Sequence, residues 1–160
     1  MSMRKPAQIA IEAASAVLAL AAGYPLLHYD ELEGIKIPTH FDFSGAVDGY
    51  GERDSFITLF LITVIGYVLL SFAQRYTSLM NISDRKIDFG SDQVQTMLSD
   101  LALCLKLGIT ALFACVSLRS YLLAIGTITA DKHFFLIWII TAFIFGTIIF
   151  HWIRMRRVSE

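Results

Sequence analysis

The chain has 160 residues, of which 56% are hydrophobic and 17% charged, and its formal net charge is -1 at neutral pH. So apolar a composition exceeds what a soluble domain of this length carries and points to a single membrane domain. The basic residues sit dispersed at the edges of apolar runs and form no continuous stripe, which argues against a nucleic-acid surface.

The first apolar run, about 7–27, reads AQIAIEAASAVLALAAGYPLL and follows Arg4 and Lys5. That order also fits a signal peptide. The run is longer than a signal peptide's apolar core, however, and only AAG at 21–23 resembles a cleavage site, so a retained transmembrane helix is expected. Within it Glu12 is followed by Ser15, Ala19 and Gly23, a strip of small residues that allows close helix approach in lipid.

The next segment, 28–55, is polar and acidic: Asp30, Glu31, Glu33, Asp42, Asp48, Glu52 and Asp54 face only Lys36 and Arg53. Its centre, IPTHFDFSGAVDGYG at 37–51, has its own backbone logic. Pro38 lacks a donor and holds Ile37 extended, so the segment should enter as an extended run. Gly45, Gly49 and Gly51 permit tight turns. Phe41, Phe43 and Tyr50 can lay apolar faces on the end of a helical bundle, giving a compact cap. His40, Asp42 and Asp48 are its chemically capable groups, and two readings stand for them: ligands for a divalent metal or other ligand, or side chains that hydrogen-bond the turn into shape.

A second apolar run covers about 56–73, with Thr63, Tyr67 and Ser71 on one helical face. Beyond it, Ser83 to Gly90 reads as a turn, and Asp92 with Gln95 resembles a capping box ahead of Val94, Met97, Leu98 and Leu101 at helical spacing. The third helix should therefore begin near Gln93, with about 101–120 in the membrane. Lys106 lies at about the depth of Glu12. Unpaired, each charge costs a few kcal/mol in a bilayer; an ion pair would relieve both, while the other reading has Lys106 snorkelling and Glu12 staying wet. Thr110 and Ser117 lie near the face of Lys106, and Arg119 and Tyr121 fall near the outer interface. Cys104 and Cys115, roughly 16 Å apart along a helix, cannot pair and read as packing residues.

The fourth run covers about 134–153 and ends in Trp152 with Arg154, Arg156 and Arg157 beyond it, an interfacial anchor; His151 reads as an interface residue. The expected architecture is all-α, with four transmembrane helices at about 7–27, 56–73, 101–120 and 134–153. With the N-terminus inside, Arg4, Lys5, Arg75, Arg85, Lys86, Arg154, Arg156 and Arg157 lie on the cytoplasmic side, against Lys36, Arg53 and Lys132 outside. Both termini are thus expected in the cytoplasm and the 28–55 loop outside.

Tyr24, Pro25 and then IPTHFDFSGAVDGYG resemble the pattern YPxLP…IPxHFNxxGxPDxxG of a membrane family, domain of unknown function 1648. Pro38, His40, Phe41, Gly45, Asp48 and Gly51 all fall in place, whereas Asp42 stands where Asn is common and Val47 where Pro is common. The family opens the bacterial SdpI-like proteins, which give immunity to a secreted toxin, although the later GxRTPWT-like loop of those proteins is absent from this sequence. The resemblance implies a multi-pass protein of the bacterial cytoplasmic (inner) membrane and supplies no catalytic residues.

Neither a GxSxG elbow nor a phosphate-cradling loop is present, so no enzyme and no cofactor is expected. Three functions remain: a membrane protein that binds or senses an extracytoplasmic ligand, peptide or protein partner through the 37–51 cap, in immunity or signalling; a small transporter or transporter subunit; or a structural and assembly protein. The lipid bilayer is the first partner in each case, and a homo-oligomer is compatible with so small a bundle.

Overall fold

The computed structural model describes residues 3, 5–77, 89, 91–129 and 135–159, and four helices carry the chain back and forth. α1 spans Lys5–Ala21, with Pro6 in its first turn, where a missing N–H costs nothing. The chain then leaves α-geometry: Pro25 opens a 3-10 helix over Tyr24–His28, and a second short one covers Asp30–Leu32. The sequence-based span to 27 was one continuous helix; the break comes from Pro25, which disfavours the α conformation at the residue before it. The apolar stretch Lys5–His28 is still long enough to cross a membrane.

An antiparallel hairpin follows, β1 at Ile37–Phe41 and β2 at Val47–Gly51, with Ile37 opposite Gly51 and Phe41 opposite Val47. The chain is mostly helical, as expected, and the extended segment of the loop adds one short two-stranded hairpin to it. Pro38 and the glycines resist helix while alternate side chains find opposite faces of a ribbon, so the extended segment pairs with the strand that follows its turn. Irregular register around His40 twists the pair.

α2 spans Ser55–Arg75, α3 Asp92–Ala124 and α4 Phe135–Ser159. α3 thus begins at Asp92, next to the expected start. Its cap is Ser91, whose side chain accepts the Val94 N–H, rather than Asp92; Gln95 reaches back to the Phe89 carbonyl. The Ser83 to Gly90 turn, apart from Phe89, lies outside the described residues, as do Arg85, Lys86 and Lys132.

α3 is the hub: α1, α2 and α4 each pack on it. A stripe at three- and four-residue spacing, Val94, Met97, Leu103, Lys106, Thr110 and Ser117, is buried along its length. α2 and α4 turn most of their apolar side chains outward, as helices do when lipid is the solvent. Where α1 ends, the Ala22 carbonyl, orphaned by the break, accepts the Ser117 hydroxyl of α3 at 2.7 Å. Gly23 lies so close to Phe60 of α2 that a Cβ there would stand 2.8 Å from the ring. Small residues set these approaches.

The hairpin caps the end where α1 and α3 finish and α2 begins. A cluster of Leu32, Ile37, Phe56 and Tyr121 seals it to the bundle. At the opposite, terminal end Phe89, Val94, Met97 and Met155 pack together.

Candidate functional site

Two charged groupings stand out, one at each level of the bundle. In the cap, Asp42 shapes the turn: its Oδ1 accepts the Ser44 N–H at 2.8 Å, the Ser44 hydroxyl at 2.7 Å and the Ala46 N–H at 3.0 Å. The Ser44 hydroxyl, followed by these backbone donors, holds the Asp42 carboxyl below its ordinary value. Gly45 takes φ +88°, a conformation that resists any side chain. Its carbonyl accepts Nη2 of Arg119 at 3.0 Å, and the same guanidinium lies 4.9 Å from the centre of the Phe41 ring. Arg119, buried at the end of α3, therefore pins the hairpin's tip to the bundle. Nothing in the sequence pattern marked it for this task, because its partner is a backbone carbonyl 74 positions away.

His40 Nδ1 donates to Asp48 Oδ1 across the hairpin at 2.5 Å, with both side chains well exposed. Gly49 stands opposite His40, and a Cβ there would come 2.8 Å from that of His40, so the two strands need glycine at this point. Of the three candidate ligands, the structure brings His40 and Asp48 together and commits Asp42 to the turn. Among the described residues no group of three or more His, Cys, Asp or Glu side chains is placed to hold a metal ion. At the base of the cap, the Tyr29 hydroxyl donates to Asp54, which pushes the phenol above its ordinary value, and Arg53 lies 4.4 Å from the centre of the Tyr29 ring.

Not all the aromatics turn inward. Tyr50 is exposed, and Phe43, 87% exposed, stacks on Trp138 of α4 with ring centres 6.0 Å apart. Between hairpin and α4 they border a cleft of about 610 Å3, edged by Thr39, His40, Asp42 and Asp48 and floored by Val116.

Within the bundle, Lys106 Nζ meets both carboxylate oxygens of Glu12 at 2.7 and 2.6 Å, and also Ser71 Oγ at 3.1 Å and Gln74 Oε1 at 2.8 Å. The Tyr67 hydroxyl donates to Glu12 at 2.9 Å. The Lys106 side chain is 1% exposed, so the snorkelling alternative does not describe it. A buried ammonium needs acceptors for all its protons, and α1 and α2 supply them. Six residues before Lys106 on α3, buried Asp100 accepts the Met3 N–H and Gln8 Nε2, both at 3.1 Å, a second polar tie to α1 that the sequence reading missed. His151, read as an interface residue, is instead buried, its ring donating to the Thr147 carbonyl one turn back.

Among the described residues four helices are long and apolar enough to cross a membrane, and a charged pair ties α1 to α3, which together define a multi-pass membrane protein. Residues 16–67, about a third of the chain, match the family described as Domain of unknown function (DUF1648). The match holds the whole hairpin and reaches Tyr67, but leaves out Glu12, Lys106 and Arg119. Comparison with curated proteins and with solved structures gives no match.

Proposed function

We propose that the protein lies in the bacterial cytoplasmic membrane with both termini in the cytoplasm and binds an extracytoplasmic peptide or protein partner through its hairpin cap, in toxin immunity or in signalling. The observation that carries this reading is the exposed Phe43–Trp138 pair over a cleft edged by His40 and Asp48. A cap that only sealed the bundle would turn such rings inward. Rigid aromatics beside polar groups are what protein-binding surfaces use as anchors. The orientation is supported by Lys5, Arg75, Arg154, Arg156 and Arg157 at the terminal end.

A photo-cross-linking residue at position 43 tests the reading in whole cells. A peptide or protein adduct is expected, and it should vanish in Trp138→Ala protein that inserts equally well; adducts to lipid alone overturn the proposal. An impermeant thiol reagent should label Ser44→Cys in intact cells once Cys104 and Cys115 are replaced by Ala, and no labelling before lysis reverses the orientation. The polar network around Lys106 favours a second reading, a small transporter or transporter subunit, in which Glu12→Gln abolishes uptake of a solute while the position-43 adduct persists.

A further inference from the structure

α1 and α2 pack on α3 far more than on each other, and the seam between them is hollow. Toward the terminal end it widens into a cavity of about 690 Å3 walled by Gln8, Glu12, Ser71, Gln74, Arg75 and Lys106. A narrower groove of about 240 Å3 shares Ala16 and Tyr67 with that cavity and continues toward the hairpin between Leu20 of α1 and Phe60 and Val64 of α2. One end of the seam is polar and the other apolar.

The charges at the polar end decide what fits it. Lys106 and Glu12 neutralise each other at 2.6 Å. Asp100 does not line the cavity, and its oxygens take Met3 and Gln8. Arg75, exposed at the mouth, forms no ion pair among the described residues, which leaves the cavity one positive charge in excess. Length decides the rest. From Gln8 to Leu20 α1 rises about 18 Å, close to the ~15 Å of one leaflet in a ~30 Å hydrocarbon core. The seam's rim, Ile9 at the cavity and Leu20 and Val64 at the groove, is exposed on the bundle's surface, the side a bilayer covers.

We propose that this seam is a phospholipid site, with an anionic headgroup phosphate at Arg75 and the Gln74 amide and one acyl chain laid along α1 and α2. Basic pockets between transmembrane helices hold anionic headgroups in this manner, and the apolar groove distinguishes a lipid from free phosphate.

Native mass spectrometry of the full chain in detergent tests it, with phosphatidylglycerol or phosphatidylcholine added at equal concentration. One retained phosphatidylglycerol is expected, favoured about tenfold, the 1.4 kcal/mol scale of a single charge contact. Arg75→Ala, on the exposed rim where folding is not at stake, should reduce the preference to near parity, and Arg75→Lys should keep most of it. Ala16→Phe, which fills the groove, should release the lipid at an unchanged helix content. Equal retention of both lipids by the wild-type chain, or displacement of phosphatidylglycerol by equimolar inorganic phosphate, would overturn the assignment.

Discussion

Glu12–Lys106 is an ion pair and His40–Asp48 a side-chain hydrogen bond, each across elements, at 2.6 and 2.5 Å, yet they do different work because of what surrounds them. Around Lys106 there is almost no solvent, and every proton must find a protein acceptor; around His40, 73% exposed, water can replace any partner lost. Equal distance therefore does not mean equal worth: the effective dielectric sets the strength of a pair and the cost of breaking it.

The largest expected effect breaks the buried pair. Glu12→Gln leaves the Lys106 ammonium with neutral acceptors alone and should cost about 3 kcal/mol, the low end for a buried pair because Glu12 itself is 39% exposed. Thermal unfolding in detergent measures it, and combining Glu12→Lys with Lys106→Glu should recover part of the loss; no recovery would show that the geometry matters beyond charge. Next is Arg119→Ala, which removes a charge-assisted hydrogen bond to the Gly45 carbonyl and the contact with Phe41. About 2 kcal/mol is expected, with faster amide exchange at 42–46 and little change at the terminal end. Gly45→Ala forces a side chain into a left-handed backbone and should cost about 1 kcal/mol, read by the same exchange.

The two smallest effects belong to Asp42 and His40, polar side chains of the cap. Since Asp42 is held below its ordinary 3.8, its contribution to the turn is complete above that pH and is lost as pH falls through the lower folded value. Exchange at Ser44 and Ala46 should rise below pH 3.8 in the wild type and be fast at every pH in Asp42→Ala. His40→Ala should change global stability by no more than about 1 kcal/mol. A loss as large as that of Glu12→Gln would erase the contrast between the two pairs.

The cap and the buried network differed in how much of each could be read from residue order. Pro38, Gly45 and Gly49 act locally, so an ordered turn with extended approaches was legible, although the pairing of two strands was not. Glu12 and Lys106 were legible as a problem, since two charges at one depth of an apolar helix each demand a partner. That Ser71 and Gln74 share the ammonium was not, because neither residue by itself signals which helix it faces. Arg119 was counted only as a charge near an interface, and Tyr50, expected to lie on the bundle, points away from it.

Composition and period alone determined four apolar helices and a polar, proline- and glycine-shaped insertion after the first, because chain length and hydrophobic burial act on each segment separately. Only the tertiary structure decided that α3 is the hub, that a backbone carbonyl in the hairpin receives Arg119, and that α1 and α2 leave a hollow seam between them. Those outcomes depend on which faces meet across 32 to 94 positions of chain, and the bonds that decide them join side chains to distant backbone or to one another.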